Sequence, residues 1–81
     1  LYIKYNEREG EGMGTKTGII VMLKKNKGYG FIKPEDSEKN IFFHASGVLS
    51  PKFEELKNGE RVEYLDVETP KGKKAIDVVV A

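Results

Sequence analysis

Aromatic side chains at alternate positions are the feature of this sequence best suited to chemistry. Residues 28–32 read Gly-Tyr-Gly-Phe-Ile, and residues 41–44 read Ile-Phe-Phe-His. Alternate side chains of a β-strand point to opposite faces, so each segment would present two rings on the face opposite its isoleucine. Exposed rings are costly in water, and the flat bases of a nucleic acid that stack on them would offset that cost. The predicted stacking residues are Tyr29, Phe31, Phe42 and His44.

Glycines and lysines surround these rings. We expect Gly28 and Gly30 to leave space in which a ligand can lie against the backbone. Residues 13–33 carry five lysines and no acid, whereas residues 34–69 carry nine acids and four bases. Although the net charge is only +1, this segregation would give the fold one positive face suited to phosphates. Lys24 and Lys27 are the candidate contacts, and the alternative is that the lysines only solvate loops and strand ends.

Other interpretations of the rings remain open from the residues alone. The strands could be buried on both faces, as in a sandwich core, although the flanking lysines weigh against this. His44 could be a metal ligand or a general base, but it is the only histidine and the chain has no cysteine. The sequence also lacks a cluster of acids on one strand, so we predict no catalytic site, no metal and no cofactor.

Five short strands separated by turn residues are predicted to position the rings. A single turn of helix is expected near residues 46–49. So many strands in so short a chain favour a closed barrel, because closure removes exposed strand edges. The predicted strands are residues 17–24, 29–33, 40–45, 60–67 and 74–80. The predicted core is Ile20, Ile32, Ile41, Phe43, Val62, Tyr64, Ile76 and Val78, plugged by Val48 and Leu56.

One domain is all that 81 residues allow. Residues 7–14 alternate charge with glycine, which disfavours a regular element. Residues 1–14 are predicted to be an N-terminal extension or an engineered addition, with the domain over residues 15–81. The lack of cysteine and of a long apolar run favours a reducing, cytoplasmic location without a membrane span. We expect a monomer, with a dimer through the N-terminal segment as the alternative.

The two aromatic segments together resemble the paired ribonucleoprotein motifs of the bacterial-type cold-shock domain family. Residues 27–32, Lys-Gly-Tyr-Gly-Phe-Ile, are similar to the first motif and residues 41–44 to the second, at a fitting separation. Thr17-Gly18, Phe53 and Asn58-Gly59 match the family pattern as well, so the resemblance covers nearly all of the predicted domain. It implies an all-β fold, a five-stranded antiparallel Greek-key barrel of the OB-fold type.

The resemblance also implies a function. Members of the family bind single-stranded RNA or DNA, prefer pyrimidine-rich stretches, and act as chaperones that melt weak RNA secondary structure. By motif match, Lys27 contacts the backbone of the nucleic acid. The residues to which the match assigns base stacking are Tyr29, Phe31, Phe42, His44 and Phe53.

The first predicted strand departs from the family pattern. Met22 and Leu23 stand where a Trp-Phe pair is usual, Val21 replaces a basic residue, and an aromatic is common at Ala45. Each stacked base contributes roughly 1–3 kcal/mol, so these changes are expected to weaken binding. Met22 should sit beside Tyr29 on the outer surface and contact a base edge through its polarisable sulfur.

Two classes of function follow from these observations. The first is a single-stranded nucleic-acid binding module that acts as an RNA chaperone. The alternative is a protein-interaction module on the same barrel, which the reduced aromatic surface and the near-zero net charge would support. An enzyme ranks below both, since no catalytic cluster is present in the sequence.

Overall fold

Six β-strands and two short 3-10 helices are present in the computed structural model, which describes residues 15–81. The predictions for residues 1–14 lie outside the described residues. Within residues 15–81 no helix is long and apolar enough to cross a membrane. The strands are β1 (Lys16–Lys24), β2 (Tyr29–Pro34), β3 (Ile41–His44), β4 (Val48–Ser50), β5 (Arg61–Thr69) and β6 (Gly72–Val80). The 3-10 helices are Ala45–Gly47, near the predicted turn of helix, and Phe53–Glu55.

Five of the strands close into a barrel. Their order is β3-β2-β1-β5-β6, and a pairing between β3 and β6 closes the ring. This confirms the predicted five-stranded OB-fold barrel. The pattern is antiparallel at every junction of the ring except β3–β6, which is parallel. A ring with an odd number of strands cannot alternate direction all the way round, so one parallel junction is unavoidable.

The strand β4 was not expected from the sequence. It is three residues long and pairs in parallel with β6, through Val48 and Val78. Because β3 pairs with β6 further towards the start of that strand, through Phe43 and Ala75, the two short strands lie one after the other along the same neighbour. The 3-10 helix Ala45–Gly47 connects them.

The barrel interior holds the predicted core with one clear exception. Ile76 is only half-buried, and Ala75 is buried in its place, so the prediction for Ile76 is wrong. The register of β6 against β5 shifts by one residue at this point, and Asp77 takes a φ of 54°. Such a bulge interrupts the alternation of the strand. Val48 packs on the core but is only partly buried. The buried residues are Ile20, Ile32, Ile41, Phe43, Phe53, Leu56, Val62, Tyr64, Ala75 and Val78.

A second bulge, in β1, changes which side chains face outward. Ile20 pairs with Ile32 and Met22 pairs with Phe31, so Val21 is an extra residue in the ladder. Strict alternation after the buried Ile20 would turn Met22 inward. The bulge instead leaves Val21 and Met22 both exposed, at 42% and 41%. In this way β1 contributes Met22 to the outer surface.

Gly30 lies on β2 with its hydrogen, in place of a side chain, directed into the barrel. A Cβ there would lie 2.5 Å from the carbonyl oxygen of Met22 and 2.9 Å from a ring carbon of Phe43. Glycine therefore lets β1 and the core approach β2 closely, and the expectation that it leaves room for a ligand is wrong. Gly28 serves a different purpose, since its φ of 78° in the turn before β2 favours glycine.

The substitution Gly30→Ala should lower the free energy of unfolding by about 1–3 kcal/mol, because the new methyl group meets backbone and core atoms that cannot move aside. Urea denaturation measures the change. Gly47→Ala is the matched control, since its methyl group would find only ordinary contacts, the nearest at 3.4 Å. Equal stability of the two variants would contradict the close approach of β1 and β2.

Candidate nucleic-acid interface

Strands β2 and β3 bring four of the predicted rings onto one outer surface. Tyr29 lies opposite His44 in the ladder, and Phe31 lies opposite Phe42. Residues directly opposite one another on an antiparallel pair have their side chains on the same face. The positions between them are buried, so the core residues of both strands hold this face outward. We call Tyr29, Phe31, Phe42 and His44 the aromatic platform.

Three rings of the aromatic platform contact one another at an angle. The ring centroids of Tyr29 and Phe42 are 5.6 Å apart, with 33° between the planes. Phe31 meets both of these rings edge to face, at 5.9 Å from Phe42 and 6.1 Å from Tyr29. Contacts of this geometry are favourable and keep the rings in fixed positions. All three side chains are only partly buried, so ring surface is left for a planar ligand.

His44 is exposed, and the 3-10 helix that follows β3 fixes its ring. Its Nδ1 accepts a hydrogen bond from the backbone N–H of Ser46 at 3.0 Å, and the Ser46 hydroxyl oxygen lies 3.0 Å from the same nitrogen. His44 thereby caps the N-terminus of the helix Ala45–Gly47. Its ring is held opposite Tyr29 instead of rotating freely in solvent.

Strand β1 extends the aromatic platform. Met22 is exposed on the outer surface, as the family resemblance predicts, but its cross-strand partner is Phe31 and not Tyr29. The bulge at Val21 sets this register. Lys24 is the residue that lies opposite Tyr29. A thioether and an ammonium group therefore border the rings along β1.

The turn between β1 and β2 places further lysines at the Tyr29 end of the platform. The backbone N–H groups of Lys27 and Gly28 both donate to the carbonyl oxygen of Lys24, at 3.0 and 2.9 Å, which closes a tight turn. Lys24, Lys25 and Lys27 are all exposed. The Lys25 ammonium donates to the backbone oxygen of Glu54 at 2.6 Å, which ties this turn to the 3-10 helix Phe53–Glu55. Lys24 and Lys27 remain exposed beside the rings.

Phe53 is the exception among the predicted stacking residues. It is 6% exposed, and its ring packs against Phe43 with 6.1 Å between centroids and 65° between planes. A ring covered to this extent offers no face to a base, so the assignment of Phe53 to base stacking is corrected: it belongs to the core. The spacing of Phe53 and Leu56 could have indicated this, because residues three apart share one side of a 3-10 helix.

A groove of about 550 Å³ continues the surface beyond Phe31 and Phe42. Its charged centre is Asp66, whose carboxylate lies 3.1 Å from Nζ of Lys16 and 3.8 Å from Nζ of Lys73. The hydrogen bond from Lys16 to Asp66 and the attraction between their charges raise the pKa of Lys16. Within residues 15–81 no cluster of three or more histidine and acidic side chains is arranged to hold a metal ion.

Tyr64 lines the same groove from a buried position on β5. Burial, helped by the negative charges of Asp36 and Asp66, raises the pKa of Tyr64 to about 12, so its hydroxyl is neutral in ordinary buffers. Sequence reasoning missed the groove residues Lys16, Asp66 and Lys73. The position of Asp66 could have been predicted, because Tyr64 and Asp66 are two residues apart and so lie on one face of β5.

Comparison with known proteins gives the class to which this barrel and its platform belong. Residues 16–81 match the family model described as the "'Cold-shock' DNA-binding domain". The match spans all six strands. The chain therefore belongs to the cold-shock domain family, and nucleic-acid binding is the activity that goes with membership.

Bacterial cold-shock proteins are similar to this chain over most of its length. "Cold shock-like protein CspJ" of Salmonella typhi is 40% identical over 68 residues, which cover 83% of this chain and 97% of CspJ. "Major cold shock protein" of Micrococcus luteus is 39% identical over 61 residues, which cover 75% of this chain and 91% of that protein. Among solved structures, "drosophila Unr CSD456" matches with a TM-score of 0.71 at 26% identity, covering 86% of this chain but only 28% of that one.

The different positions of Phe42 and Phe53 predict opposite effects of truncation. Phe53→Ala should lower the free energy of unfolding by about 3–5 kcal/mol, because it empties a buried ring site. Phe42→Ala should cost less stability but weaken oligonucleotide binding about tenfold, as the loss of one stacked base would. Urea denaturation measures the stability of each variant. Oligonucleotide titration at low temperature, where both variants are folded, measures the affinity. A binding defect in folded Phe53→Ala as large as that of Phe42→Ala would restore Phe53 to the binding surface.

Proposed function

We propose that the protein binds single-stranded RNA or DNA by stacking unpaired bases on the aromatic platform, and that it acts as an RNA chaperone. The observation that carries this proposal is the grouping of Tyr29, Phe31, Phe42 and His44 on one outer face of two paired strands. Stacking on aromatic side chains contributes roughly 1–3 kcal/mol per base, and every base has a face with which to stack. Membership of the cold-shock domain family supports the same function.

Single strands are the proposed ligand because a base inside a duplex is already stacked on both faces. Only an unpaired base can turn out of the strand and lie on a ring of the barrel surface. Binding that favours unpaired RNA stabilises the melted state by mass action, so weak hairpins would open when the protein is in excess. This is how a small barrel can act as a chaperone for RNA structure.

The lysines supply the electrostatic part of the proposed interface. Lys24 and Lys27 lie at the Tyr29 end of the platform, where they can contact the phosphates of a strand whose bases are stacked on the rings. About three neutralised phosphates give a slope of log K against log salt near −2 for a single strand. Binding should therefore depend on salt only moderately, with stacking as the larger contribution.

The ligand preference, the binding unit and the setting of the protein complete the proposal. We propose a preference for pyrimidine-rich strands, which is what the resemblance to the cold-shock domain family implies. We propose residues 15–81 as the binding unit, in a monomeric protein of the cytoplasm. A protein-interaction role on the same barrel is not favoured, since the chain belongs to a family of nucleic-acid binding domains.

Titration of a labelled oligo-U or oligo-dT tests the proposed function, with a duplex of the same length for comparison. The single strand should bind and the duplex should bind far more weakly. Phe31→Ala should reduce single-strand affinity about tenfold, because one stacking ring is lost. Leu49→Ala is the matched control: Leu49 is a 66% exposed apolar side chain on β4, which pairs with β6 and not with β2 or β3, and its loss should leave affinity unchanged. Equal losses in both variants would overturn the proposal.

The exposed Met22 offers a gain-of-function test. Met22→Trp should tighten oligo-dT binding about five- to thirtyfold, because an indole at the edge of the platform adds a stacking face worth roughly 1–2 kcal/mol. The melting temperature should hardly change, since the side chain points into solvent. Leu49→Trp, which adds the same indole on β4, should leave binding as it is. A lowered melting temperature with unchanged affinity in Met22→Trp would show that this position cannot present a ring to a base.

A further inference from the structure

The contact between His44 and Ser46 determines where the imidazole carries its proton. A backbone N–H can only donate, and that of Ser46 lies 3.0 Å from Nδ1 of His44. Nδ1 must therefore present a lone pair, which in the neutral ring leaves the single proton on Nε2. The Ser46 hydroxyl, 3.0 Å from the same Nδ1, can rotate to donate there as well. The backbone N–H therefore sets the tautomer, and the hydroxyl, which can either donate or accept, is compatible with it.

The protonated Nε2 lies at the end of the platform where the lysines are. A Cβ built on Gly28 would be 4.0 Å from this nitrogen, so the absence of a side chain at Gly28 leaves the approach from the β1–β2 turn uncrowded. Lys27 precedes Gly28 in that turn, and Tyr29 lies directly opposite His44. A hydrogen-bond donor of fixed direction therefore lies beside an aromatic ring and next to the turn that carries Lys27.

We propose that His44 reads the edge of a base, by donating a hydrogen bond from Nε2–H to a keto oxygen of a pyrimidine, and that the backbone N–H of Ser46 is the positioning group that makes this possible. The proposal rests on the proposed function and deepens it. Stacking alone is tolerant of base identity, whereas a directed donor rewards an acceptor on the base. Lys27 contacts the phosphate of the same nucleotide. His44 is thus a specificity-determining residue as well as part of the aromatic platform.

Imidazole nitrogen NMR of the free protein tests the positioning step without any nucleic acid. In a mildly alkaline buffer, long-range proton–nitrogen correlation spectra should show Nε2 protonated and Nδ1 bare. Ser46→Ala removes the hydroxyl but retains the backbone N–H, so it should preserve this tautomer. A proton on Nδ1, or an even mixture of the two tautomers, would overturn the proposal whatever the protein binds.

An oligo-dT series with one thymine at a time replaced by difluorotoluene tests the reading step. This analogue has the shape and stacking face of thymine but lacks its keto oxygens. At one position of the bound strand the replacement should weaken binding about three- to tenfold, which is the effect of one neutral hydrogen bond. Equal affinity across the whole series would contradict the proposal.

His44→Phe is the matched variant, because it keeps a flat ring and removes the donor. It should bind oligo-dT about three- to tenfold more weakly than the unaltered protein. Its affinity should not change further when the difluorotoluene replacement is made, so the loss from the variant and the loss from the base replacement do not add. His44→Asn keeps a cap for the 3-10 helix but has no ring, and should lose more affinity than His44→Phe.

The two proposals fail in distinguishable ways. If His44→Phe is as sensitive to difluorotoluene as the unaltered protein, His44 does not read the base, while a defect in Phe31→Ala would still support stacking. If the unaltered protein binds no single strand, both proposals are wrong.

Discussion

The packing of β2 and β3 around a shared core is the constraint on which the outer surface depends. Ile32 and Phe43 are fully buried, and burying side chains of this size contributes roughly 1.5–3 kcal/mol each. Since side chains alternate, the residues between them must lie outside. A slip of one residue would exchange the two sets and force Tyr29 and Phe31 into an interior that is already filled. The interactions that fold the barrel therefore also expose the rings.

The elements that could be predicted from the sequence are those in which local alternation holds. It holds throughout β2 and β3, so the positions of the aromatic platform followed directly from the order of residues. Alternation fails in β6, because the strand has one extra residue at a bulge where Asp77 takes the left-handed conformation. As a result Ile76 is turned away from the core. A bulge depends on how the strand pairs with a neighbouring strand that is distant in sequence. The local pattern of apolar and polar residues does not indicate that pairing.

The bulge in β1 and the burial of Phe53 show two further limits. Alternation would place Met22 inside, and only the resemblance to cold-shock domains placed it outside, where the structure has it. The same resemblance assigned Phe53 to base stacking, but the 3-10 helix Phe53–Glu55 turns that ring into the core. A motif match conveys which residue types recur together. Burial depends on the packing of the individual chain, and only the structure decides it.

The charges of the molecule are divided between the two ends of the interface. At the Tyr29 end, Lys24 and Lys27 stand exposed beside the rings. In the groove beyond Phe31, Asp66 lies between Lys16 and Lys73 and offsets their charge. A phosphate approaching from solvent therefore finds its more favourable contacts at the turn end of the platform. For the strand binding that we propose, this asymmetry would favour the closest backbone contacts at the turn end of the platform, beside the ring of His44.

The closing junction between β3 and β6 has a consequence for the making of the protein. It joins residues 42 and 43 to residues 74 and 75, and folds dominated by such distant pairings form slowly. During synthesis β6 is the last of the described strands to leave the ribosome. Until it does, β3 has one free edge, and an unpaired edge is a template for pairing with another chain. The strand β5 has a free edge at the same stage, so the edges of β3 and β5 are the two at which newly made chains can associate with one another.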